Sequence, residues 1–298
     1  MKAAPQTHIL QAVLLIGLLF LPACGNTPDT AIPPTETQKA VEPTEEIQEI
    51  AVDTPTPTPE PHTPTSPPTI TSTPAPIFEY SKETVSFMTE DGYELEGTLF
   101  LSEGDLAVVF AHMAGGDNDQ RNWIPFAKEA AQRGFNALTF NFRCYGNSGC
   151  GGSDSGAILL SRDIGAAVDF LRGKGLDTFV CVGASMGGRG CVNAAFDEEL
   201  DGLVIVAGTG SSHPDRQNLA DFISPEMPKL FIVGENDHIA DRTQVMIELY
   251  ESAPEPKTLI TYPSQSHGTE LFGSKYGQDM KEAILGFLGE IQAANPSE

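Results

Sequence analysis

The sequence predicts an α/β fold: a mostly parallel twisted sheet with helices on both faces and an antiparallel hairpin at the N-terminal edge. Three observations carry this expectation. Residues 84–101 alternate apolar and polar side chains around the turn Glu90-Asp91-Gly92, the pattern of a hairpin. Beyond it, short apolar runs alternate with longer amphipathic segments. The runs are nearly continuous in apolar residues, as strands covered on both faces must be.

In chain order, the apolar runs predict strands over 106–111, 136–140, 178–182, 203–206, 230–233 and 258–261. The amphipathic stretches between or after them predict helices over 123–133, 157–172, 186–196, 242–252 and 275–293. Gly234 opens the turn after the run 230–233, and Trp123, at the start of the first helix, reads as a core residue rather than a substrate platform.

The 298 residues do not divide evenly between domains. Residues 24–76 contain 13 of the 23 prolines and 13 threonines and have no Phe, Tyr or Trp, so they cannot bury a core. The remaining 222 residues, 77–298, suit one globular domain and are too few for two comfortable ones. Alternating prolines at 55, 57, 59 and 61 favour an extended spacer, able to hold the domain up to roughly 150 Å from an anchor. Other uses of such a segment are a ligand for a proline-binding module or an O-glycosylated stalk.

The formal net charge is −24, and −18 of it lies in residues 77–298, where 33 acids face 15 Lys and Arg. Such a surface repels phosphate backbones and anionic headgroups, which disfavours nucleic acid and electrostatic membrane docking. At the N-terminus, Lys2 precedes an apolar run over 9–21, too short to span a bilayer and suited to a signal peptide over residues 1–23. The run ends in Leu21-Pro22-Ala23-Cys24, which resembles the lipobox of bacterial lipoproteins. That resemblance implies cleavage before Cys24, lipidation of its thiol, and an extracytoplasmic protein held to a bacterial membrane through its lipid alone.

The chemistry centres on Gly183-Ala184-Ser185-Met186-Gly187, set between a strand and a helix. Flanking glycines permit a sharp turn that exposes the hydroxyl at a helix N-terminus, where free backbone N–H groups can face an oxyanion. A tight turn with a capping Ser is the plainer alternative. Serine is a weak nucleophile at its free pKa, so a base is required, and in such folds an acid and then a His follow the Ser in the chain. His213, His238 and His267 lie downstream; His267 alone follows both a candidate acid and the last strand. Asp237, at the end of the run 230–233, is the preferred acid, with Glu235 and Asp241 as competitors.

An oxyanion site needs a second donor, and the segment Ala111-His112-Met113-Ala114-Gly115-Gly116 supplies a loop after an early strand. These motifs, with Asn141-Phe142-Arg143-Cys144-Tyr145-Gly146, Gly234 to Asp237 and His267-Gly268, resemble in their order the α/β-hydrolase superfamily, and its minimal, lidless esterase-like members above all. The resemblance covers about residues 83–293. It implies a Ser185, Asp237, His267 triad with the backbone N–H groups of Met186 and Ala114 as oxyanion donors. Two departures stand out: Met113 where the family usually has Gly, which leaves residue 113 or 114 as the inward donor, and Asn141-Phe142-Arg143-Cys144 where it often has Asp-x-Arg-Gly.

Besides Cys24 there are four cysteines. Cys144 and Cys150 flank a glycine-containing loop and could form a disulfide, which an exported protein permits; Cys181 and Cys191 read as small buried hydrophobes. No spacing suggests a metal site, His112 included, and no cofactor is implied. The resulting expectation is a lipid-anchored serine hydrolase, a carboxylesterase acting on small neutral esters with short acyl groups. Alternatives are an acyltransferase or peptidase on the same triad, and a catalytically silent surface binding lipoprotein.

Overall fold

The computed structural model describes residues 77–151, 157–209 and 226–296. The expected signal peptide (1–23), the tether (24–76) with Cys24, and His213 lie outside the described residues. Eight strands form one sheet: β1 Ser81–Met88, β2 Glu94–Leu101, β3 Leu106–Ala111, β4 Asn136–Phe140, β5 Thr178–Ala184, β6 Gly202–Val206, β7 Lys229–Gly234 and β8 Lys257–Tyr262. Their order is β1-β2-β4-β3-β5-β6-β7-β8. β1 pairs antiparallel with β2, and β2 antiparallel with β4, while every later pairing is parallel. This is the mostly parallel sheet with an antiparallel N-terminal edge that the period change in the sequence predicts.

The helices are α1 Ile124–Gln132, α2 Ala157–Arg172, α3 Met186–Ala194, α4 Arg242–Ser252 and α5 Gly277–Ala294. Alternate residues of the central strands feed two cores. On one face Ala107, Val109 and Ala111 of β3 join residues of α2, α3 and α4, among them Ile164, Val192 and Met246. On the other, Leu106, Val108 and Phe110 join residues of α1 and α5, among them Phe126, Ala130, Ile284 and Leu288. Period-two alternation therefore persists in β3, with both faces apolar because both are covered. Trp123 is fully buried, packs on Phe110 and Phe126, and donates its indole N–H to the Ala111 carbonyl at 3.0 Å. Among the described residues no helix is long and apolar enough to cross a membrane.

Two findings depart from the sequence expectation. Cys181 and Cys191 are bonded to each other, joining β5 to α3, although both are as buried as small hydrophobes would be. A 3-10 turn, Gly268–Gly273, precedes α5, which therefore starts two residues later than its periodicity suggests.

Candidate active site

Parallel strands direct their C-terminal ends to one rim of the sheet, and ligands of such sheets bind outside that rim. Ser185 follows β5, Asp237 lies three residues past β7, and His267 lies five past β8. The turn at Ser185 needs its glycines for steric reasons. A Cβ on Gly183 would stand 2.4 Å from the Gly187 carbonyl group, and one on Gly187 would stand 2.1 Å from the Ala111 carbonyl oxygen. The chain thus passes so close to itself and to β3 that only hydrogen fits. Ser185 itself is held at φ 49°, a left-handed conformation that is strained for a residue with a side chain. Its N–H donates to the Val206 carbonyl at 2.9 Å, and its own carbonyl accepts the first helical bond, from Arg189, at 3.1 Å. Met186 is the first residue of α3, where backbone N–H groups have no carbonyl of their own helix to reach.

The side chain of Asp237 is wholly buried and that of His267 is 9% exposed. His267 Nδ1 lies 2.8 Å from Asp237 Oδ2 and 3.1 Å from Oδ1, so it is held along one edge by both carboxylate oxygens. The Ile239 N–H donates to Asp237 Oδ1 at 2.9 Å, fixing the carboxylate in turn. The His267 backbone N–H donates to Glu270 Oε2 at 3.0 Å, which anchors the 3-10 turn behind the ring. A Cβ on Gly268 would meet the Ala184 Cβ at 3.4 Å. The segment carrying His267 therefore lies directly against the segment carrying Ser185.

The competitors sit elsewhere. Glu235 is exposed and accepts the Thr261 hydroxyl at 3.3 Å, while Asp241 is an exposed residue at the N-terminus of α4. His238 is exposed, with Nδ1 3.1 Å from the Gln265 carbonyl and its ring 5.8 Å from that of His267.

Along the loop after β3, His112 is fully buried. Its Nε2 accepts the Phe142 N–H at 3.1 Å and its Nδ1 donates to the Met113 carbonyl at 2.9 Å, so it is the neutral Nδ1–H tautomer. Burial depresses its pKa to about 4, and the ring ties the loop after β3 to the loop after β4. Met113, in the place of the family's usual Gly, turns its side chain inward: its sulfur accepts the Thr269 hydroxyl at 3.4 Å. Ala114 is exposed, and its carbonyl accepts from the Asn118 side chain at 3.1 Å.

Cys144 and Cys150 are joined by a disulfide, and Cys144 sits at φ 65°, which accounts for the Gly that related motifs carry there. Tyr145, packed on His112, points its hydroxyl at the Met186 sulfur, 3.6 Å away, a neighbour of the elbow that no sequence pattern announces. A cleft of about 580 Å³ lined by Thr89, Ser161, Asp169 and Glu198, among others, contains none of the candidate residues, so the chemistry and not the cavity volume locates the site. Among the described residues no three or more metal-ligating side chains gather.

The family described as an alpha/beta hydrolase domain matches residues 104–274. The chain belongs to this family. As an α/β hydrolase it is similar to solved structures that share its fold. An alpha/beta hydrolase from Penicillium sp. sh18 is 18% identical, with 72% of this chain and 99% of that one covered and a TM-score of 0.60. An a/b serine hydrolase without lid from Xanthomonas campestris is 20% identical, with 75% and 99% covered and a TM-score of 0.56. An esterase from Pyrococcus furiosus is 20% identical, with 72% and 93% covered and a TM-score of 0.56. At these identities the likeness is one of fold. No curated protein matches this α/β hydrolase.

Proposed function

We propose that the chain is a serine carboxylesterase acting on small soluble esters. The observation that carries this reading is the buried Asp237 carboxylate at 2.8 Å from His267 Nδ1, on a segment packed against the strained turn at Ser185. A carboxylate on Nδ1 fixes the tautomer that leaves Nε2 as the base and stabilises the imidazolium that forms. Ser185 Oγ attacks the ester carbonyl while His267 takes its proton. The tetrahedral oxyanion is held by the backbone N–H of Met186, with Ala114 as the second donor. Collapse expels the alcohol, which takes the proton from His267 and leaves an acyl-enzyme. Water, activated by the same imidazole, then releases the acid and restores Ser185. The similarity to an esterase and to a serine hydrolase without lid is in keeping with an open site suited to small substrates.

The address belongs to the same reading: export by residues 1–23, attachment through lipid on Cys24, and a spacer over 24–76. The deciding experiment for the chemistry is a fluorophosphonate probe on folded protein. Stoichiometric labelling at Ser185, abolished by Ser185→Ala, is expected. Failure to label would favour a silent binding lipoprotein. Labelling without hydrolysis of any p-nitrophenyl ester from acetate to palmitate would redirect the search to amides or acyl transfer.

A further inference from the structure

Two arginines flank the elbow, and among the described residues neither forms an ion pair with a carboxylate. Arg189 follows Ser185 by four positions, so both start from the same side of α3. Arg242 opens α4, five positions past Asp237, and its Nη1 donates to the Gly208 carbonyl at 3.0 Å. Gly208 in turn lies against the first turn of α3, since a Cβ on Gly188 would stand 3.1 Å from the Gly208 Cα. The Arg242 head group is thereby brought to the turn that Ser185 begins. Arg189 is the next residue after Gly188, so both arginines are tied to this one turn. Burial, and in smaller part the charge of Arg189, push the Arg242 pKa below the ordinary arginine value, while the charge of Asp237 opposes the shift.

The contrast with the other described arginines is sharp. Arg121, Arg133, Arg143, Arg162 and Arg172 each form an ion pair with a carboxylate. The Nε atoms of Arg189 and Arg242 are shielded from solvent and have no hydrogen-bond partner among the described residues. A guanidinium is always charged, and holding two together, partly desolvated, is unfavourable without an anion.

We infer that Arg189 and Arg242 form a binding site for a carboxylate of the substrate, so that the preferred esters carry a free acid group as well as the scissile bond. This rests on the esterase reading above and names its substrate class. The planar fork of arginine matches a carboxylate through paired N–H donors, and at a site beside the nucleophile such a contact positions the ester as well as selecting it. Net charge alone points to neutral substrates, but that expectation concerns the surface as a whole; two cations with no carboxylate partner among the described residues set the local field at the rim of the sheet.

The test compares esters matched in size and different in charge: monomethyl glutarate against methyl pentanoate, and 4-acetoxybutyrate against butyl acetate, which put the carboxylate on the acyl and the alcohol side. We expect kcat/KM for the anionic member of at least one pair to exceed that of its neutral match by about tenfold or more. The ratio should fall toward one in Arg189→Gln and in Arg242→Gln, with Arg242→Lys in between. Taking a ratio within each variant removes any general loss of folding or activity. A ratio near one in the unaltered protein, or one unchanged in both Gln variants, overturns the proposal. If no ester is hydrolysed, the esterase reading fails separately, and calorimetry with glutarate reads the anion site directly. Saturable binding weakened tenfold or more by Arg242→Gln supports it, and absence of binding overturns it.

Discussion

Cys181 in β5 and Cys191 in α3 are joined across the turn that carries Ser185, so a covalent bond closes the ten-residue span holding the whole Gly183 to Gly187 elbow. Both side chains are fully buried, whereas Cys144 and Cys150 are exposed. A mild thiol reductant should therefore open Cys144–Cys150 in the folded protein and reach Cys181–Cys191 only on unfolding, as thiol trapping with mass spectrometry would reveal. A loop of this size contributes about 3 kcal/mol by chain-entropy reckoning. The double variant Cys181→Ala, Cys191→Ala should lose about that much in denaturant titration, and an unchanged midpoint would show that the bond contributes nothing to the fold.

His267 and Asp237 should behave as one unit with Ser185. Ser185→Ala and His267→Ala are each expected to lower kcat by about six orders of magnitude and Asp237→Ala by about four, because the carboxylate orients the base without reacting. Glu235→Ala should leave the rate within about twofold, since its carboxylate is at the surface beside Thr261. Full activity in Asp237→Ala together with its loss in Glu235→Ala would reassign the acid.

Gly187 offers a test of the turn rather than of the reacting groups. Its Cβ-to-be would lie 2.1 Å from the Ala111 carbonyl and 2.8 Å from that of His112, both backbone atoms that cannot swing aside. Gly187→Ala should therefore push α3 away from β3, at a cost of about 1 to 3 kcal/mol in stability, and displace Met186 from any oxyanion. The expected result is a lowered melting temperature and a rate loss larger than the stability loss explains at assay temperature. A variant as active as the parent would mean the close approach relaxes freely.

These tests also mark where the sequence is informative. The sheet was legible because strands covered on both faces leave continuous apolar runs, and the tight turn at Ser185 because it demands glycines at fixed offsets. Chain order and strand ends single out Asp237 and His267, whose side chains the structure brings to 2.8 Å from each other. What stays hidden depends on how separate elements face one another. That Cys181 meets Cys191 is decided by the packing of α3 on β5. The partnership of Glu270 with the His267 N–H arises in a 3-10 turn too short to leave a period. Arg189 and Arg242, 53 positions apart, read in the sequence as ordinary charges on two helices. Met113 departs from the family's Gly, and the contact of its sulfur with the Thr269 hydroxyl, 156 positions away, leaves no trace in the sequence.

Address and chemistry should separate cleanly. Residues 24–76 contain no aromatic side chain and little that packs, so a protein of residues 77–298 should keep the melting temperature and esterase rate of the full chain. Cys24→Ser in the full chain should lose its lipid mass and its membrane fractionation while keeping activity. Membrane association that persists in Cys24→Ser after signal cleavage would remove the lipoprotein reading.

The last prediction concerns acid. Arg143, 8% exposed, is gripped from two sides: its Nη1 lies 2.8 Å from Asp91 Oδ2, and its Nη2 lies 2.6 Å from Asp163 Oδ1, whose side chain is fully buried. The hydrogen bond from Arg143 holds the Asp91 carboxyl well below the usual carboxylate range, whereas burial pushes that of Asp163 up against the opposing pull of Arg143. A carboxyl whose pKa is lower in the folded than in the unfolded chain stabilises the fold fully above the unfolded value, about 4, and loses that contribution as the pH falls toward the folded one. Urea titrations at pH 7, 5, 4 and 3 should accordingly show Asp91→Asn less stable than the parent at pH 7 and the gap closing below about pH 4. Asp163→Ala is expected to be the more damaging, by about 3 to 5 kcal/mol at pH 7, because it leaves the buried face of Arg143 uncompensated. A gap between Asp91→Asn and the parent that is the same at pH 3 as at pH 7 would mean the Asp91–Arg143 pair does not set the acid limit of the fold.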